Sequence, residues 1–409
     1  MINIAIMGYG TVGSGVFEVI KRNQHIVNKK AREEINVKYV LDLREFPGLP
    51  VEKVLTHNID DILNDDSVKV VVEVMGGVEP AYTFVKSALL KGKSVATSNK
   101  ALVAAHGPEL LQIAREKNVN FFFEASVGGG IPIIRPLNEC LTADDILEIS
   151  GILNGTTNFI LTKMAKEGKE FGQVLKKAQE LGYAEKDPTA DIEGHDACRK
   201  IAILSSLAFG KTANFEEIYT EGITNITGKD MEYAKELECE IKLVGTSKKL
   251  SNGISAMVAP FMLSKNHPLS TVDGVFNAIF VKGNVLGDTM YYGSGAGSLP
   301  TASAVVVSDV IDAVRHMGEN VHIDWIDEKL EILELNYVPV KAFIRAGGDI
   351  KRIKTESKVL FEGCEFADLD YDDDEVAIIT GQETEGSLKE KLEILRKAAD
   401  IRNVIRMDV

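Results

Sequence analysis

The string Gly8-Tyr9-Gly10-Thr11-Val12-Gly13 follows directly on an apolar run of strand length, INIAIM (2–7). It opens a helical stretch, VGSGVFEVIKRNQ, in which Val12, Val16, Val19 and Ile20 fall on one stripe. The first glycine permits a tight strand-to-helix turn, the second lets backbone approach a pyrophosphate, and the third lets helix pack closely on strand. The N–H groups at the start of such a helix can hold an anion without any lysine. A chain that begins this way is committed to a parallel sheet with a dinucleotide at its edge.

The next hundred residues keep to that plan. Strand-length apolar runs recur at 37–43 (VKYVLDL), 68–75 (VKVVVEVM), 93–99 (KSVATSN) and 119–126 (VNFFFEAS), with helical stretches around 82–90 and 107–117. The alternation predicts an α/β fold: a Rossmann-type, doubly wound parallel sheet over residues 1–130, with a helix at about 300–320 returning to it. Residues 131–299 read differently. LEISGILNGTTNFI gives a strand, a loop and a helix start, helices come next near 171–182 and 194–209, and β-rich runs fill 238–290, so an α+β catalytic and dimerisation domain is expected. Residues 321–336 read as a charged linker. The tail, 337–409, runs strand, helix, strand, strand, helix, strand, a ferredoxin-like βαββαβ unit expected to carry its own core, with the DYDDDE run (370–375) at a solvated hairpin tip.

A net charge of −15 excludes general nucleic-acid binding, which needs basic surface against phosphates. No apolar run approaches the ~18 residues of a membrane-spanning helix, and MINIAIMGYG lacks a basic segment ahead of a long apolar one, so no secretory signal or membrane partner is expected. Cys140, Cys198, Cys239 and Cys364 are scattered, without a CxxC pair, which argues against a disulfide framework or a zinc site. The chain reads as cytoplasmic.

Several residues stand out chemically. Asp42 ends the second strand, where a carboxylate binds the adenosine ribose; it favours NAD by repelling a 2′-phosphate, whereas Arg44, two residues on, would pair with that phosphate and favour NADP. Lys100 follows the fourth strand, at the end of a parallel sheet where ligands sit. Asp196 and Lys200 stand four apart on a helix and share one face, a spacing that describes an ordinary surface ion pair equally well. His195 beside them reads as a spacer, and Tyr291 and Tyr292 as packing residues.

Together GYGTVGSGV, EVMGGVEPA, TSNKAL, FEASVGGGIPIIRPL, GILNGTTNFILTKM, LGYAEKDPTADIEGHDACRKIAIL and YYGSGAGSLPTASAVV resemble homoserine dehydrogenase, in register from residue 2 to about 315. The resemblance implies an NAD- or NADP-dependent oxidoreductase that interconverts L-aspartate 4-semialdehyde and L-homoserine, in threonine and methionine biosynthesis. It implies Lys200 as general acid for carbonyl reduction, Lys100 as a second essential lysine beside nicotinamide and substrate, and Glu185 and Asp196 as holders of the substrate ammonium. Gly8, Gly10, Thr11, Val12, Gly13, Asp42, Arg44, Gly76, Lys100 and Gly182 would contact the cofactor. Glu124, with the backbone carbonyls of Val127, Gly129 and Ile131, matches a monovalent-cation (Na+) site. A homodimer or homotetramer is implied as well.

These roles are chemically coherent. Hydride arriving at an aldehyde carbon creates an alkoxide that must be stabilised and protonated, and an amino-acid substrate calls for carboxylates at its ammonium. The tail departs from the family's ACT-type pattern, since its first strand–helix junction reads RAGGDIKRI where a D-x-P-G turn accompanies amino-acid binding. A structural or dimerising role is expected there, with little inhibition by threonine. Two rivals are aspartate-semialdehyde dehydrogenase, whose active cysteine has no counterpart in motif in this chain, and a catalytically inert amino-acid sensor, which would not need Lys100, Glu185, Asp196 and Lys200 together.

Overall fold

The computed structural model describes residues 1–296, 301, 306–369 and 374–407. Its contacts divide the chain into two compact units, Met1–Asp145 with Ala202–Asn214 and Tyr291–Leu330, and Ile146–Ile201 with Phe215–Met290 and Glu331–Val409.

The first unit is built on strands β1 (Ile2–Met7), β2 (Ile35–Leu41), β3 (Leu55–Thr56), β4 (Val68–Glu73), β5 (Ser94–Thr97) and β6 (Phe121–Phe122), all parallel, in the order β3-β2-β1-β4-β5-β6. Helices α1 (Thr11–Arg22), α2 (Ala81–Leu90) and α3 (Lys100–Lys117) connect them. This is the doubly wound order whose switch point lies between β1 and β4. The near-continuous apolar runs read from sequence are explained by burial on both faces: Ile4, Ile6, Val70 and Val72 are fully inside. The late helix, α8 in chain order (Val307–Arg315), belongs to this unit and packs Val307, Val310, Ala313 and Val314 into the same core. A helix at Gln24–Ala31 follows α1, and this extra element explains why Asp42 lies so far along the chain from the glycines.

The second unit holds β7 (Ile146–Ile152), α4 (Gly155–Glu167), α5 (Phe171–Glu180), α6 (His195–Phe209, whose first half falls here), α7 (Gly228–Glu236), and strands β8 (Cys239–Leu250), β9 (Gly253–Ser264), β10 (Phe276–Gly283) and β11 (Gly287–Ser294, whose first half falls here). The tail supplies β12 (Ala342–Gly347), α9 (Ile350–Leu360), β13 (Glu365–Ala367), β14 (Glu375–Ile379), α10 (Glu385–Leu395) and β15 (Asp400–Met407), the βαββαβ order expected.

Three features differ from the sequence reading. The tail does not form a separate sheet: β15 pairs in parallel with β9, Phe261 opposite Arg406, giving one path β11-β10-β7-β8-β9-β15-β12-β14-β13. One face of its strands packs on α9 and α10, whereas Phe343 on the other meets Tyr233 of α7. Second, the charged stretch 321–336 is more than a linker. Trp325 is buried, its Nε1 donating to Thr212 Oγ1, and Ile326–Lys329 pairs with Lys211–Thr212. Third, Tyr292 is exposed on β11, at the end of the sheet, so it is not a packing residue. Residues 370–373 of the expected hairpin tip and 302–305 of the expected late helix lie outside the described residues.

Candidate active site

The nucleotide half lies in the first unit. Gly8 sits at φ +98°, a conformation that disfavours any side chain, and a Cβ on Gly13 would come within 1.9 Å of the Gly8 carbonyl oxygen. Both glycines are therefore demanded by the turn itself. Gly10 precedes α1, no side chain caps that helix end, and nothing lies within 4 Å of a Cβ on Gly10. The open approach to the helix N-terminus fits a dinucleotide pyrophosphate. Thr11 is exposed and Val12 half-buried at the same end.

Asp42 and Arg44 are joined. Asp42 Oδ1 accepts from the Arg44 main-chain N (3.0 Å) and Nε (2.9 Å), and Oδ2 from Tyr9 N (2.8 Å) and Arg44 Nη2 (2.9 Å). The guanidinium holds the carboxyl well below the usual carboxylate range. Arg44 itself stays exposed, over the Phe46 ring.

At the other side of the switch point Gly76 is exposed, and Glu73 is fully buried at the end of β4. The Glu73 carboxylate accepts from Thr97 Oγ1 (2.6 Å) and Met75 N (2.8 Å), and burial pushes its carboxyl up. Asn99 caps α3 through Leu102 N and donates to Gly77 O (2.6 Å), so one side chain fixes both the loop after β4 and the helix start that carries Lys100. Sequence reasoning passed over Glu73 and Asn99, although Asn followed by a helical run is a cap signal.

Asp196 and Lys200 lie in the second unit. Asp196 (5% exposed) and Lys200 (8%) are buried, Nζ to Oδ2 2.8 Å, so the spacing is no surface pair. Lys200 Nζ also donates to Leu153 O (2.7 Å), at the end of β7. Asn154, the next residue, donates from Nδ2 to Asp196 Oδ2 (3.0 Å) and to Asp191 Oδ1 (2.7 Å). Asp191 was not singled out in the sequence. Burial pushes its carboxyl up and the Asp196 charge adds to this, while the Asn154 hydrogen bond acts against it. Glu185 and Gly182 lie exposed on the turn before this cluster, and Gln179 Nε2 donates to the Glu185 carbonyl (3.1 Å). Among the described residues no hydrogen bond links the Glu185 carboxylate to the cluster. His195 is exposed and stands apart from it.

Glu124 is 1% exposed, and its carboxylate is spoken for: Oε1 accepts from Ile133 N (2.5 Å) and Ile134 N (2.7 Å), Oε2 from Arg135 N (2.7 Å). Arg135 in turn pairs with Asp309 and Asp312 of α8. A cation could not use that carboxylate without displacing three amides. The main-chain carbonyls of Glu124, Val127, Gly129 and Ile131 accept no hydrogen bond from the loop, turn or side-chain donors among the described residues, which leaves oxygen ligands for a hard cation.

The comparisons agree with this geometry. Residues 132–311 match the family model for homoserine dehydrogenase, and residues 8–124 that for its NAD binding domain. The homoserine dehydrogenase of Helicobacter pylori is 47% identical over 316 residues, covering 77% of this chain and 74% of its own, and that of Bacillus subtilis 45% over 319 residues, covering 77% and 73%. The crystal structure of a homoserine dehydrogenase from Thiobacillus denitrificans superposes with a TM-score of 0.90 at 38% identity, over 100% of this chain and 98% of that one. A hyperthermophilic archaeal homoserine dehydrogenase in complex with NADPH gives 0.66 at 32%, over 76% of this chain and 97% of that one. With family models matched over residues 8–124 and 132–311 and relatives at 45% and 47% identity, this chain belongs to the homoserine dehydrogenase family.

Proposed function

We propose that the chain interconverts L-aspartate 4-semialdehyde and L-homoserine through the Asp191–Asn154–Asp196–Lys200 cluster, with a nicotinamide cofactor seated at the glycine turn. The observation that carries the reading is the buried Lys200–Asp196 pair, tied to the end of β7 through the Leu153 carbonyl. A bound nicotinamide supplies or accepts the hydride. In reduction, Lys200 donates a proton to the oxygen of the former carbonyl as it becomes an alkoxide; in oxidation the neutral amine takes that proton back. Asp196 and Asp191 offer acceptors for the substrate ammonium, and Glu185 would supply a further carboxylate to the same group. Lys100, at the start of α3, stabilises charge beside the nicotinamide.

The case for NAD rests on a carboxylate open to the ribose hydroxyls. Both Asp42 oxygens are engaged by N–H donors, and exposed Arg44 is the group that meets a 2′-phosphate, so NADP is the cofactor this end favours. The four loop carbonyls at 124, 127, 129 and 131 would hold a monovalent cation and stiffen that loop. Exposed Met290 and Tyr292 on end strand β11, with Val285 and Leu286 at the hairpin tip, suit burial against a second copy of the chain. No helix among the described residues is long and apolar enough to cross a membrane, and a cytoplasmic location fits four free cysteines.

Initial rates of homoserine oxidation with NAD and with NADP, measured beside Lys200→Ala, test the reading. Absence of turnover with either cofactor in the parent chain would overturn it.

A further inference from the structure

Asn154 does two jobs with one amide. Its Oδ1 accepts from Thr157 N (2.9 Å) and caps α4, and because a main-chain N–H can only donate, the orientation of the amide is fixed. Nδ2 therefore points the other way, at two carboxylates 37 and 42 residues further along the chain, and both of its N–H bonds are used. Asn154 is 6% exposed, so neither bond is easily replaced by water. The residue before it supplies the carbonyl that receives Lys200 Nζ.

Two carboxylates side by side repel; burial and the Asp196 charge push the Asp191 carboxyl up, and the Asn154 hydrogen bond acts against that rise. A neutral group with two donors serves both carboxylates without adding charge. A lysine there would neutralise one of them and compete with the incoming ammonium. An aspartate would add a third negative charge.

Resting on the roles proposed above for Lys200 and the two aspartates, we propose that Asn154 is a positioning residue of the reaction. Its amide holds Asp191 and Asp196 oriented as a receptor for the substrate ammonium, and keeps the shared Asp196 oxygen aligned on Lys200. Asn154 touches no reacting atom; it acts through the carboxylates it holds.

The test separates this from a mere helix cap, because aspartate and serine cap helices about as well as asparagine. Asn154→Asp keeps the acceptor at the cap and removes both donors above the pKa of the new carboxyl. Assayed as semialdehyde reduction near pH 8, it should lose roughly 10- to 100-fold in kcat/KM, as expected for hydrogen bonds to charged groups. Most of the loss should appear as a higher KM for the amino-acid substrate. Towards acid pH the new carboxyl protonates and again offers an O–H donor, so the deficit relative to the parent chain should shrink. Asn154→Ser should show a comparable deficit without that recovery, and both variants should retain cooperative thermal unfolding. Parent-like kcat/KM and pH profile in both variants would overturn the proposal. So would losses that merely follow the unfolded fraction. Lys200→Ala run in parallel distinguishes the two levels: an active Lys200→Ala sinks the site assignment itself, whereas an inactive Lys200→Ala beside unimpaired Asn154 variants sinks only this inference.

Discussion

Arg345, in the middle of β12, reaches out of the tail to Asp230 on α7, Nε to Oδ1 at 2.9 Å, with 8% and 0% of the two side chains exposed. Arg345 also meets Glu375 of β14 at 3.2 Å, and Asn403 Nδ2 of β15 donates to the other Asp230 oxygen at 2.8 Å. Asp230 completes the capping box of α7 with Thr227. The tail is thereby fastened to the helix that packs on its sheet.

Arg345→Ala should accordingly be costly. It strands a buried carboxylate, for which about 3–5 kcal/mol is typical. Denaturant unfolding of the variant should show that loss. A change below ~1 kcal/mol would mean that water or Asn403 satisfies Asp230 unaided.

The same pairing bears on truncation. Ending the chain after Leu330 removes β15 from the edge of β9 and Val338 from the core cluster over the sheet, and leaves Asp230 without Arg345. The matched family models end at residue 311, short of the tail. The truncated chain should keep measurable homoserine oxidation but melt at lower temperature, and Asp230→Asn within it should recover part of the loss. Threonine should inhibit the full chain little. Micromolar inhibition that vanishes on truncation would contradict a purely structural role for the tail.

Lys200→Ala should lower kcat by about 10²–10⁴-fold while cofactor binding persists, since that is the usual worth of a positioned proton donor. Glu185→Gln should act mainly on the KM for homoserine. If its KM is unchanged, Asp191 and Asp196 hold the ammonium without help from the exposed turn.

The raised carboxyl of Asp191 predicts a pH effect on substrate capture. A group whose pKa is raised stays protonated to higher pH than a free aspartate, so its contribution to ammonium binding disappears as pH falls through that raised value. In the reduction direction the acid limb of kcat/KM should then report this carboxylate. Asp191→Asn should move that limb to lower pH with a lower plateau. A limb that stays in place would assign it to another group.

At the adenosine end, Arg44→Ala should raise the KM for NADP selectively and leave that for NAD nearly unchanged. Asp42→Ala frees the guanidinium and removes a negative charge, and should increase the preference for NADP. Equal losses with both cofactors in both variants would place the adenosine elsewhere.

A cation on the four loop carbonyls would bind the folded chain only, and would stabilise it in proportion to the logarithm of its concentration over Kd once that ratio is large. Thermal unfolding should therefore occur at higher temperature in sodium chloride than in N-methylglucamine chloride of equal ionic strength. Identical melting curves would remove the site.

Local pattern was enough to identify the nucleotide-binding architecture. Gly8 and Gly13 are required by a turn whose geometry is set within a few residues, and the runs of β1 and β4 are near-continuously apolar because both faces of a parallel sheet are covered. The four-residue spacing of Asp196 and Lys200 likewise placed them on one helix face. Whether that face met solvent or the end of β7 was not a local property. Burial set this ion pair apart from an ordinary surface pair and gathered it with Asn154 and Asp191, whose link spans 37 residues. The Glu124 carboxylate, available as a ligand on paper, is occupied by amides 9, 10 and 11 residues away once the loop closes on it. The βαββαβ periodicity of the tail was legible from its own residues, yet periodicity reports only which face of an element is apolar. That β15 continues the sheet of β9, and that Arg345 finds Asp230 115 residues back, depends on which edges and faces meet. Tertiary packing alone decides that, because an edge strand's unpaired N–H and C=O groups look the same in sequence whichever partner completes them.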